Sequence, residues 1–132
     1  MANILIDTNV FLDILLKREH ADDGYNALAK ILKSRNRPIV SSSAITDIYY
    51  VTKRYFKNED IAKTAVSTVT DFAKVVDVNE SDILNALDLD LPDYEDAVVA
   101  CVAKRHLAEC IVTNNIKHFQ NSPVKAVMSA DY

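Results

Sequence analysis

The sequence predicts an α/β protein: a central, mostly parallel sheet of about five short strands with helices on both faces. Three observations carry this expectation. Short apolar runs recur along the chain, at Ala2 to Ile6, Pro38 to Val40, Val75 to Val78, Cys110 to Val112 and Val124 to Val127. Longer amphipathic segments separate them, and each such helix carries the chain back to the starting end of the sheet, so successive strands run parallel. One Gly and three Pro in 132 residues leave no flexible linker, which makes residues 1–132 a single domain.

Taken in order, Ala2 to Ile6 reads as a buried strand that ends at Asp7. Asn9 to Leu16 starts a helix. Asp22 or Asp23 caps a second helix through about Lys33, with Ala27, Leu28, Ile31 and Leu32 inward. After the strand Pro38 to Val40, the hydroxyls of Ser41, Ser42 and Ser43 suit the start of a helix to about Phe56. Asn58 or Glu59 begins another through about Phe72, with Ile61, Ala65, Val69 and Phe72 near one face. Val75, Val76 and Val78 form a third strand and Ser81 to Leu89 a helix. Asp93, after Pro92, opens a helix ending near His106. Cys110 to Val112 is the fourth strand and Val124 to Val127 the fifth.

Half of the residues (49%) are hydrophobic and 26% are charged, the balance of a soluble globular protein. The N-terminal stretch lacks the basic and long apolar regions of a secretory signal, and no apolar run is long enough to span a bilayer. Cys101 and Cys110 sit in apolar surroundings without CxxC spacing, so they read as reduced core residues of a cytoplasmic protein. The net charge of −4 argues against a module that grips DNA by its backbone. It does not argue against a nuclease, in which bound cations invert the charge of a carboxylate-rich site.

Ligands of a parallel sheet gather at the carboxyl ends of the strands; three polar groups fall there, and a fourth opens a helix. Asp7 directly follows the first strand; as a helix cap it would be equally at home. Asp47 lies one turn into the helix after the second strand, where a charge near a helix N-terminus is also favourable. Asp93 and Asp96 are three apart at the start of a helix that continues into Ala97, Val98, Val99 and Ala100. First-turn electrostatics explains Asp93, but Asp96 enters so apolar a helix that it needs a partner, and a metal is a good one. Thr113, Asn114 and Asn115 follow the fourth strand as a polar turn or as oxygen ligands. Together these oxygens converge on one cleft. Hard oxygen donors without Cys or His select Mg²⁺ or Mn²⁺ over zinc, and the chemistry such a site supports is phosphodiester hydrolysis. His20, His106 and His118 are scattered and are assigned no ligand role.

These residues resemble the PIN-domain family, and within it the VapC-type toxin ribonucleases. Leu5 to Asp13 is similar to the family's opening strand with its Asp; Ser42 to Val51, with Asp47, to the segment of the second acid. Asp93 to Ala97 is similar to the acidic helix start, and Ile111 to Asn115 with Phe119 to the fourth motif. The resemblance implies a three-layer α/β/α sandwich and an acidic Mg²⁺ or Mn²⁺ site that cleaves RNA to a 5′-phosphate and a 3′-hydroxyl. It carries Asp7 and Asp96 over as primary metal ligands. Asp47 stands where many members have Glu, and Asn115 where many have Asp; Asp93, one turn from Asp96, compensates by spacing. Asp7, Asp47 and Asp96 are thus expected to hold one cation that activates water for in-line attack, with Thr8, Asn9 and Thr113 orienting the carboxylates from behind. The resemblance also implies a homodimer, a small antitoxin that reaches into the site, and the toxin role in such a pair.

Other readings fit less well. A haloacid dehalogenase-type phosphatase needs a second Asp where Asn9 stands, and a receiver domain needs an acidic pair after the first strand. A catalytically weak PIN-like module that binds RNA or protein is the alternative that Asp47 and Asn115 motivate. Lys53 and Arg54, among Tyr49, Tyr50, Tyr55 and Phe56, suit contact with RNA; an amphipathic helix with long basic side chains at its rim gives the same pattern.

Overall fold

The computed structural model describes residues 1–132. Its strands are β1 (Asn3–Ile6), β2 (Arg37–Ser41), β3 (Lys74–Val76), β4 (Ala108–Thr113) and β5 (Ala126–Met128). The helices are α1 (Thr8–Leu15), α2 (Ala21–Lys33), α3 (Ser42–Phe56), α4 (Glu59–Phe72), α5 (Glu80–Ala86) and α6 (Tyr94–Arg105), with 3₁₀ turns at Ile116–Phe119 and Ser129–Asp131. The sheet has the order β3-β2-β1-β4-β5, and every neighbouring pair is parallel. Connections run outward from β1 to β3 and then cross to β4 on the other side of β1. The direction of winding therefore switches at β1 and β4, where a parallel sheet opens a crevice at its carboxyl edge.

Two apolar cores sandwich the sheet. The side chains of a strand alternate between its faces. Accordingly Ile4 and Ile6, with Val40, Cys110 and Val112, pack against α1 to α4 through Val10, Phe11, Ile31, Ile48 and Val69. Leu5, Ile39 and Ile111 point the other way, onto Ala97 to Ala103 of α6 and Ala86 of α5. Every residue of α6 from Asp96 to Ala103 is buried. The fold is the expected α/β/α sandwich. Cys101 and Cys110 are free and buried in opposite cores, and no helix is long and apolar enough to cross a membrane.

Side-chain caps explain where five of the six helices begin; α2 starts after His20 without one, so Asp22 and Asp23 lie in its first turn instead of capping it. Asp7, Ser41, Asn58, Asn79 and Asp93 each accept a hydrogen bond from a backbone N–H of the helix that follows, satisfying donors with no intrahelical partner. The single glycine, Gly24, lets α2 lie close on α1: a Cβ there would stand 3.3 Å from atoms of Ile14 and Val10.

Some expected details differ. Leu32 and Ile61 are exposed, because each is adjacent in sequence to the residue that faces the core, Ile31 or Ala62, and one position turns a side chain about 100° around a helix. The fifth strand runs over Ala126–Met128 rather than from Val124, because the Val124 N–H is held by Ser122 Oγ at 3.2 Å after Pro123. The third strand stops at Val76, which pairs with the last residue of β2.

Candidate active site

Asp7 is the centre of the carboxyl edge. Its backbone N–H continues the β1–β4 ladder by donating to the Val112 carbonyl at 2.9 Å. Its side chain is then fixed at both oxygens: Oδ1 accepts from the Thr8 N–H at 2.9 Å and Oδ2 from Thr113 Oγ1 at 2.9 Å. Thr113, the last residue of β4, is fully buried, and its Oγ1 in turn accepts the Asn115 N–H at 2.9 Å. Asp7 therefore serves as both the cap of α1 and a site residue. It is only 3% exposed. Burial pushes its carboxyl up to about 7, helped by the negative charge of Asp96 and opposed by the Thr113 and Thr8 hydrogen bonds.

Asp96 enters from α6. Asp93 caps that helix by accepting the Asp96 N–H at 3.0 Å. The Asp96 carboxylate meets His118 Nδ1 at 2.7 Å. Burial raises the Asp96 carboxyl above the usual range, while the bond to His118 pulls it back. Asp47, from α3, faces Glu95. Glu95 is held at about 7, first by its hydrogen-bonding contact with Asp47, then by burial and the charges of Asp47, Asp93 and Asp96.

These groups line one cavity of about 290 Å³, together with Thr8, Asn9, Asn115 and the apolar Leu12 and Val51. The acids are not already drawn into an ion-coordinating set of three: Asp47 is engaged with Glu95 and Asp96 with His118. The cavity thus brings Asp7, Asp47, Asp93, Asp96, Asn115, Thr8 and Asn9 to one place, with Thr113 behind Asp7. Lys53 and Arg54 lie outside it, exposed on α3.

Sequence reasoning missed two members. His118 follows Asn115 by three residues, and the 3₁₀ turn Ile116–Phe119 carries it back over the cavity; that spacing was the available signal. Glu95 lies within the acidic run Asp93 to Ala97, but the three-residue spacing that pairs Asp93 with Asp96 gives it no role. A third network supports the site: Asn114 Nδ2 donates to buried Asp13 Oδ2 at 2.6 Å, and Ser129 Oγ bonds Asn114 Oδ1. It ties the turn after β4 to α1 and to the C-terminal 3₁₀ turn.

Comparison with known proteins agrees with this fold. Among curated proteins none gives a significant match. Solved structures share the fold. VapBC2 of Rickettsia felis, bound to a DNA fragment from its promoter, aligns with a TM-score of 0.77 at 21% identity over 96% of this chain and 98% of that one. VapBC-1 of nontypeable Haemophilus influenzae gives 0.72 at 17% identity over 98% and 99%. The sarcin-ricin loop cleaving toxin VapC20 of Mycobacterium tuberculosis gives 0.64 at 12% identity over 82% and 86%. The family model of the PIN domain matches residues 3–117, a span that runs from β1 to the turn bearing Asn115, and the chain therefore belongs to the PIN domain family.

Proposed function

We propose that this chain is a Mg²⁺- or Mn²⁺-dependent endoribonuclease and the toxin of a toxin–antitoxin pair. The observation that carries this reading is the buried Asp7 carboxylate, aimed by Thr113 and Thr8 into a cavity it shares with Asp96, Asp47 and Glu95. Burial raises the Asp7 carboxyl to about 7, and contact with Asp47 together with burial raises Glu95 to about 7; a cation in this cavity would offset the cost of ionising them. Apart from His118, whose Nδ1 is engaged with Asp96, the donors offered are oxygens, which fits a hard divalent cation. Asp7, Asp47 and Asp96 would hold it, with Asp93 and Asn115 in supporting positions. Such a cation supplies activation of a water and stabilisation of the leaving oxygen in phosphodiester hydrolysis.

The chain's own groups supply the rest. Thr113 and the Thr8 N–H keep both Asp7 oxygens in fixed directions, and Asn9 borders them. His118 holds Asp96. Glu95, raised to about 7 beside Asp47, gives up its proton when a cation is held in the cavity. RNA as substrate rests on family membership and on the toxin neighbour described as cleaving the sarcin-ricin loop. An antitoxin partner rests on neighbours solved as VapBC complexes. A homodimer and a cytoplasmic setting complete the proposal.

The test is RNA cleavage by purified wild-type protein and Asp7→Asn, with and without Mg²⁺. Mg²⁺-dependent cleavage that Asp7→Asn loses supports the assignment; equal activity in the two proteins sinks it. One alternative has a specific observation behind it. Asn115 and the unassembled acids favour a catalytically weak module that binds RNA or protein. Such a module need gain no thermal stability from Mg²⁺ or Mn²⁺, whereas a cation-holding nuclease does.

A further inference from the structure

The acidic cavity of about 290 Å³ has room for little more than the phosphate it is proposed to cut, so the rest of an RNA strand needs contacts outside it. The surface of α3 provides them. Asp47 lies in the cavity, and Arg54 follows it by seven residues, nearly two full turns, so both project from one stripe about 10 Å apart along the axis. Tyr50 lies between them. At the end of the helix, Lys57 takes a left-handed cap conformation with φ of 52°. Tyr50, Lys53, Arg54 and Lys57, with Asn58 and Glu59, line an open cavity of about 600 Å³.

Three features single this cavity out. Arg54, Lys53 and Lys57 make no salt bridge, in contrast to Arg18, Lys63 and Arg105. Glu59, the acid on the wall, is already engaged by the Tyr49 hydroxyl at 3.2 Å and by Lys63. Tyr50 is 59% exposed, which leaves it open to a stacking base, and its ring stands perpendicular to that of Tyr49 with centroids 5.0 Å apart; Lys53 flanks the pair from over the Tyr49 ring. The negative end of a helix accounts for cations in its last turn. It does not account for their opening, with an exposed tyrosine, onto the same stripe as Asp47.

We infer that the Tyr50–Arg54–Lys57 surface is the track that holds single-stranded RNA beside the acidic cavity, Arg54 and Lys57 contacting phosphates and Tyr50 stacking a base. This rests on the ribonuclease reading above and names how its substrate is held. Cations that neutralise phosphates set the salt dependence of binding, and a stacked aromatic adds sequence-tolerant affinity.

The test is fluorescence anisotropy with a short fluorescein-labelled single-stranded RNA across a salt series, in an Asp7→Asn background so that cleavage does not intervene. Adding Arg54→Gln with Lys57→Gln is expected to weaken binding at least tenfold and to flatten the log–log salt slope by about 1.4, at roughly 0.7 per phosphate contact on a single strand. Tyr50→Ala is expected to weaken binding by about tenfold with the slope unchanged. With Asp7 restored, the double variant should cleave with raised KM and retained kcat. Unchanged affinity and slope in the double variant overturn the track even if the protein cleaves RNA. RNA binding that shows these losses, in a protein that never cleaves, keeps the track and overturns the nuclease reading. If the double variant binds RNA normally but loses self-association, the surface is an interface between copies and the track is wrong.

Discussion

Thr113 and Asp7 stand 106 positions apart in sequence, yet the Thr113 hydroxyl donates to Asp7 Oδ2 at 2.9 Å with both side chains buried. Parallel pairing of β1 with β4 makes this possible, since it sets Ile6 against Val112 and brings the next residues of both strands to one edge. Thr113→Val keeps the shape and removes the donor. It is expected to lower cation affinity and cleavage by about 10- to 100-fold, as loss of a group that orients a metal-binding carboxylate does. Titration with Mn²⁺ and cleavage rates check this.

Asp7 gives the cation-free protein a definite pH dependence. Its folded carboxyl sits at about 7 against an ordinary 3.8. Between those values the folded state binds more protons than the unfolded chain, so stability falls as pH rises from about 4 to 7 and levels off above. The loss is on the order of a few kcal/mol. Asp7→Asn removes the ionisation, so it should flatten this slope and melt at a higher temperature than wild type at pH 8 in a chelating buffer. Thermal melts across pH decide the matter.

His118 lowers the carboxyls of both Asp96 and Asp7. His118→Ala should therefore move the acid limb of cleavage to higher pH and raise the Mg²⁺ concentration needed at neutral pH. A pH–rate profile reads the first effect, and a Mg²⁺ titration the second. A uniform fall in rate at every pH, with Mg²⁺ demand unchanged, contradicts this role.

Away from the site, Arg105 closes on Asp82, which is 2% exposed, with Nη2 to Oδ2 at 2.8 Å and Nε to Oδ1 at 3.1 Å. Arg105→Ala leaves that carboxylate buried in the first turn of α5 with only the Asn79 N–H to meet it. The expected cost is about 3 kcal/mol, measured by urea denaturation.

Thr52 offers the opposite case. Its Oγ1 is buried without a partner, so a donor there lowers stability for no return. Thr52→Val keeps the volume and is expected to be neutral or to stabilise by about 1 kcal/mol; a loss of that size would show that the hydroxyl has a partner in solution.

Much of the fold was legible because β1, β2 and β4 are short buried apolar runs and the helices carry caps such as Ser41, Asn58 and Asp93. What failed was local. Leu32 and Ile61 are apolar by composition but sit just off the stripe that packs, and composition does not report an angle. Val124 was lost to a side-chain bond from Ser122. At the site, Asp7 and Asp47 could be gathered from the rule that ligands sit after strands, and Asp93 and Asp96 from their place at the start of an apolar helix. His118 and Glu95 could not. Their roles depend on where a 3₁₀ turn and the first turn of α6 aim them, and tertiary placement alone decides that.

The most direct measurement of the cation centre is calorimetric titration of Mn²⁺ at pH 7 in two buffers of different ionisation enthalpy. Because Asp7 and Glu95 hold protons near that pH, binding to their cavity must release protons. Saturable binding with buffer-dependent heat in wild type, lost in Asp7→Asn, is the predicted result. Absence of saturable binding, or binding that Asp7→Asn retains unchanged, would contradict a cation centre built on Asp7.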